Sequence, residues 1–242
     1  LQRERDAATG IMESIMNRWC IVGAIAIVGL TAPLSSQEKK GGIGVVIDKE
    51  ARTVTIECKV APRKVLKDKT EIYPLEVIAT WPYPKGKKAH ETIVTIDESI
   101  KPSDVHKALE SLGLKAGTPV MGEGEPKGPA VHIYFLIPDP SGLDKKVAID
   151  KTMVDPKNGK PFPKSVEWRF TGSAPVQPDP NKTETVYGAD WSGTLVAIFP
   201  VTKETVFQTS LQIENEKFMK LEVAKVMPKE GTPVKMVIEV KK

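Results

Sequence analysis

Cysteine is nearly absent. The chain has two, Cys20 and Cys58. An iron–sulfur cluster or a four-cysteine zinc site cannot be assembled from so few thiols. Histidine is also scarce, at three residues, and the spacing of His90, His106 and His132 matches no HExxH or other standard zinc template. No GxSxG elbow is present, and no Gly-rich loop suited to cradling phosphate precedes a helix. Net charge is small, +4, with basic and acidic residues scattered along the chain. That pattern is no electrostatic footprint for nucleic acid, so no nucleic-acid partner is expected. No internal repeat with a fixed period occurs, which excludes solenoids and propellers.

Long apolar runs are absent too. The apolar run Cys20 to Leu30 is too short to span a bilayer, which needs about 20 residues. It follows Met16 and Arg18 and precedes Pro33, Ser35 and Ser36. Positive, then apolar, then polar and turn-prone is the order of a secretory signal peptide. Residues 16–37 are therefore read as the signal, with cleavage after Ser36 or Gln37. Residues 1–15 are charged, lack apolar periodicity and do not begin with Met; they are read as an upstream extension, outside the native protein. The mature chain then runs over 38–242 as a single β-rich domain, secreted or periplasmic, with no transmembrane span once the signal is removed. Cys58 stands alone in it and forms no internal disulfide.

What is present is mostly β pattern. IGVVID (43–48) and RTVTIECKV (52–60) flank a polar turn and predict an N-terminal hairpin. Val54, Ile56, Cys58 and Val60 share one face of the second strand. Further strands are predicted at 72–80, 92–96, 131–137, 145–151, 166–172, 185–190, 194–200, 217–226 and 233–242, all rich in β-branched or aromatic residues or alternating in character. One helix is predicted over 102–112. Pro102 suits its first turn, Asp104 complements its N-terminal dipole, and Gly113 suits a left-handed C-cap. Val105, Ala108, Leu109 and Leu112 fall on one face, with His106 at its flank. The expected fold class is α+β, predominantly antiparallel β with one main helix.

Four blocks then stand out: YPLEVIATWPYPKGKKAHETIV (73–94), KPSDVHKALESLGLKAGTPV (101–120), VEWRFTGS (166–173) and VYGADWSGTLVAI (186–198). In order and spacing they resemble the YdjY-like domain of exported bacterial proteins. The resemblance implies an uncharacterised biochemical role. Some relatives carry a ferredoxin-like, iron–sulfur label, from which this sequence departs because it has no cysteine cluster.

Within these blocks, His90, Glu91 and His106 are candidate metal ligands or acid–base groups. Two imidazoles and a carboxylate suit zinc or another divalent metal, and Asp97, Glu98 or Asp104 would orient the imidazoles from behind. Against that stands a structural role, in which His90 and Glu91 bond the strand–helix junction and His106 packs at the helix flank. Trp81 and Tyr83, set between prolines, are candidates for an aromatic strip that binds glycan or peptide. No catalytic residue is assigned, and the reading leans away from an enzyme. The first expectation is a cell-envelope domain acting as a non-enzymatic binding or structural module, with no cofactor, whose partner is an envelope protein or glycan.

Overall fold

Alternation of apolar and polar side chains builds the first hairpin. The computed structural model describes residues 44–64 and 72–241, and in it β1 (Val45–Asp48) pairs antiparallel with β2 (Thr53–Val60). Val54, Ile56, Cys58 and Val60 are all buried, as their shared face requires. The segments read as upstream extension and signal peptide lie outside the described residues.

The chain continues through β3 (Val77–Thr80), β4 (Val94–Ile96) and the helix α1 (Pro102–Ser111). Then come β5 (Ala130–Ile137), β6 (Lys145–Ala148), a 3-10 turn at Ile149–Thr152 and β7 (Met153–Val154). After β8 (Trp168–Phe170), β9 (Pro175–Val176) and β10 (Val186–Tyr187) comes a short helix, α2 (Gly188–Ser192). The rest is β11 (Thr194–Ala197), β12 (Phe207–Thr209), the short helix α3 (Ile213–Phe218), β13 (Glu222–Val223) and β14 (Pro233–Val240).

These strands close on themselves. The order β2–β14–β5–β8–β12–β11–β3–β4 returns to β2 through an antiparallel β4–β2 pairing, Cys58 opposite Ile96 and Val60 opposite Val94. The result is a closed eight-stranded barrel, with β1 and β6 attached to its wall. Most pairs are antiparallel; β3–β4 and β11–β12 are parallel. The expected α+β fold thus holds only in outline: β-rich, largely antiparallel and, among the described residues, with one helix of more than seven residues. Closure is the correction. It rests on a seam of three residue pairs, too short to leave a periodic signal.

Two predicted strands also differ. Residues 185–190 give only β10 before the chain turns into α2, since Gly188 and Ala189 pack tightly where a strand would need side chains to alternate. Residues 217–226 give the end of α3 and the two-residue β13. FQT at 207–209 is fully buried β12, too short to have been read as a strand.

Helix α1 forms as its sequence dictates. Pro102 occupies its first turn, and Gly113 follows its C-cap with φ +89. The N–H of Ser103 donates to Asp190 Oδ1 at 2.8 Å, so a carboxylate from α2 serves one of the free amides at the helix start. Val105, Ala108, Leu109 and Leu112 are buried in the main core, which also takes Trp168 and Phe170 from β8. Glu167 is exposed, as alternation requires. Cys58 lies wholly inside, and burial pushes its thiol up to about 12, so it stays a protonated, inert packing group. Among the described residues no helix is long and apolar enough to cross a membrane.

Candidate functional site

The KGKK turn, residues 85–88, organises the first candidate region. Each lysine reaches a different acidic segment. Lys85 pairs with Glu98, and Lys87 pairs with Glu204 at 2.9 Å while lying 5.2 Å from the Trp191 ring. Lys88 bridges Glu76 and Glu91, the latter at 3.0 Å. Burial opposes the Lys88 charge, but its hydrogen bonds to the two carboxylates outweigh that and hold its pKa above the ordinary value. Burial, and then the neighbouring Glu76, push the Glu91 carboxyl above its usual range, against the pull of Lys88.

His90 sits beside this bridge among aromatic rings. Its centroid is 5.5 Å from Tyr83 and 6.3 Å from Tyr73. Its carbonyl accepts a hydrogen bond from Arg63 Nη1 at 3.2 Å, as does that of Thr92 at 3.1 Å, while Nη2 serves Tyr73. Burial lowers the Arg63 pKa, and the carboxylates of Glu222, Glu230 and Glu91 oppose that shift. The guanidinium therefore ties three backbone segments together.

His106 has other neighbours. Its Nδ1 lies 2.7 Å from the Tyr187 hydroxyl and its Nε2 lies 3.3 Å from Glu110 Oε1, one turn along α1. A carboxylate can only accept from Nε2–H. In a neutral imidazole with Nε2 protonated, Nδ1 is then left to accept the Tyr187 proton. Burial, then the charge of Asp190, raise the Tyr187 pKa and keep its phenol protonated. The imidazole also meets the Phe170 ring edge-on at 4.9 Å. Gly172, at φ +65, lets the backbone pass beneath it; a Cβ there would stand 3.2 Å from Cε1. Three of the blocks noted in the sequence therefore meet at His106. Tyr187 and Glu110 were not among the candidates, although the i,i+4 spacing of His106 and Glu110 was visible.

His90 and His106 thus keep separate company. Among the described residues no group of three or more His, Cys, Asp or Glu side chains is placed to hold a metal ion. The expected supporting acceptors serve elsewhere: Asp97 accepts from Ser99, Glu98 pairs with Lys85, and Asp104 lies 3.9 Å from Lys107.

Trp81 and Tyr83 do not form one strip. Trp81 donates its indole N–H to the Ile100 carbonyl at 2.9 Å and packs its ring against Gly193. Tyr83 remains 49% exposed.

A different feature lies on the outer wall of the barrel. Strand β5 carries β14 along one edge. Its other edge is shared: β8 pairs at Ala130 and Val131, and β6 pairs from Tyr134 to Ile137. A groove of about 620 Å³ opens where β6 and β8 part. His132, Tyr134, Ala148 and Glu239 line it from the outward faces of β5, β6 and β14. Lys151 and Lys164 enter from the segments that follow β6 and precede β8, and Lys241 from the end of β14. Lys146 neutralises Glu239 at 3.3 Å and covers the Tyr134 ring at 3.7 Å. Glu167 is held by Arg169 at 3.0 Å. Lys151, Lys164 and Lys241 have no carboxylate partner among the described residues. The three lie far apart in sequence, so no charge run betrayed them.

No curated protein and no solved structure matches the chain. A family model for the YdjY domain matches residues 45–239, which takes in the barrel almost end to end. The chain belongs to the YdjY domain family.

Proposed function

We propose that this chain is an exported cell-envelope domain that acts as a non-enzymatic binding module, with the outer-wall groove between β6 and β8 as its binding surface. Export is supported by the charge and apolar order of residues 16–37. The groove is the observation that carries the binding role. Its volume falls within the ~300–1,000 Å³ usual for small-ligand sites. Three of the side chains singled out in the sequence are committed elsewhere: the ring nitrogens of His106 to Tyr187 and Glu110, Glu91 to Lys88, the Trp81 indole to Ile100. Those bonds maintain the fold.

The test is a thermal-shift screen of the purified chain against soluble envelope fragments, both neutral and charged. A ligand that raises the melting temperature should lose its effect in Ala148→Phe, which lays a ring across the groove. Melting without ligand should change little. A shift that survives Ala148→Phe, or chemical turnover of the ligand, would overturn the proposal. Mass spectrometry of the native protein checks export: its N-terminus should lie near Gln37 or Glu38, and a species retaining residues 1–15 would refute the signal assignment.

A further inference from the structure

The charge arrangement in the groove narrows its ligand. The carboxylates and cations that line it divide into two sets. Glu239 is matched by Lys146, and Glu167 by Arg169. Lys151, Lys164 and Lys241 line the groove unpaired, together with one further carboxylate, Asp150, and with His132. The three ammonium groups arrive from three separate parts of the chain. Each is exposed and has no carboxylate partner among the described residues, so its charge is free to meet an anion.

Two features bear on the kind of anion. First, no guanidinium lines the groove, since Arg169 is directed to Glu167, Glu125 and the Pro126 carbonyl. Planar carboxylates are matched best by the fork of an arginine. Lysines act as point charges that surround an oxyanion from several directions. Second, partly exposed apolar groups stand beside the lysines: Ala148 and Val166 line the same space. They would contact an organic portion of the ligand.

We infer that the groove binds a small organic phosphate carrying two or more negative charges, held by Lys151, Lys164 and Lys241. This rests on the binding role proposed above and names its ligand class. The phosphate can belong to a free solute or to a lipid headgroup. The chemistry that recognises it is the same, and the experiment separates the two.

Isothermal titration of the full chain with inorganic pyrophosphate and with glycerol phosphate probes the free form. Co-sedimentation with cardiolipin vesicles, whose headgroup carries two phosphates, against phosphatidylcholine controls, probes the headgroup. A glutamate-rich peptide and a neutral oligosaccharide complete the panel. The expected result is saturable binding of at least one phosphate probe, weakened tenfold or more in Lys164→Gln/Lys241→Gln and steeply by added salt. Lys225→Gln, an exposed lysine away from the groove, should leave it unchanged. Phosphate binding indifferent to the double substitution overturns the inference. Binding of the peptide or oligosaccharide alone, lost in the double variant, overturns the phosphate assignment and leaves the groove's binding role standing. No saturable binding of any probe overturns both.

Discussion

Replacing Gly193 by alanine probes how firmly Trp81 is built into the fold. Gly193 caps α2 with φ +74, and its added Cβ would stand 2.8 Å from Trp81 Cβ, Cδ2 and Cε3. Two costs follow. Holding a residue with a Cβ in the left-handed region costs about 1–2 kcal/mol. Forcing the ring to yield costs about 1–3 kcal/mol more, as overpacking does elsewhere. The ring has little room to move, because its N–H is fixed to Ile100 and its backbone N–H donates to the Gly193 carbonyl at 3.0 Å. Gly193→Ala should therefore lower stability by about 2–5 kcal/mol in urea unfolding at 25 °C. Repeating the substitution in Trp81→Ala leaves only the Cβ contact, and the cost should fall toward about 1–2 kcal/mol. An equal cost in both backgrounds would refute the contact. A cost under about 0.5 kcal/mol would refute the strained backbone as well.

Other predictions test the remaining parts of the structure. Leu109 is fully buried, so Leu109→Ala should cost about 2–5 kcal/mol; a loss of a few tenths in the same urea assay would mean that α1 does not dock as described. Tyr187→Phe strips His106 Nδ1 of its donor and should cost about 1–3 kcal/mol, and in a double-mutant cycle with His106→Ala the two losses should fall well short of additive. Glu91 has a folded pKa raised above its ordinary 4.5, so its protonated form favours the fold below about pH 4.5 and that contribution is lost as pH rises through the folded value. Glu91→Gln should accordingly be better tolerated at pH 7.5 than at pH 3.5, and unfolding midpoints that show a cost growing with pH would reverse the sign. Equilibrium dialysis should find zinc uptake unchanged by His106→Ala; a stoichiometric, pH-dependent site lost in that variant would return His90, Glu91 and His106 to metal binding.

Much of the fold was legible because local chemistry sufficed for it. The β1–β2 hairpin, β5, β14 and α1 follow from alternation, Pro102 and Gly113. Long strands buried on one face repeat their pattern often enough to be read. β12 has three residues, all buried, and offers no alternation. At 185–190 the β-branched start reads as strand, yet Gly188 is needed where a Cβ would meet the Ala174 carbonyl at 2.3 Å. Helix α2 follows from that close approach, which no local rule exposes. For the candidate site the sequence singled out His90, Glu91 and His106 as candidate metal ligands, and the structure places them in two separate environments. Lys88 and Glu110 lie within one turn's spacing of Glu91 and His106, but Arg63 and Tyr187 are too distant along the chain to be paired by spacing. No spacing tied the KGKK turn to Glu98 and Glu204, which come from elsewhere in the fold.

Strand β14 gives the molecule a direction in time. It pairs with β2 from Pro233 to Glu239 and with β5 from Lys235 to Val240, so it lies between the first barrel strand and the middle of the chain. Neither neighbour can complete its ladder until that strand has been synthesised. Contacts between positions this far apart in sequence form late and slowly. A ribosome would therefore release nearly the whole barrel sequence before the wall between β2 and β5 could be filled. Until then the barrel stays open along both edges that this strand fills.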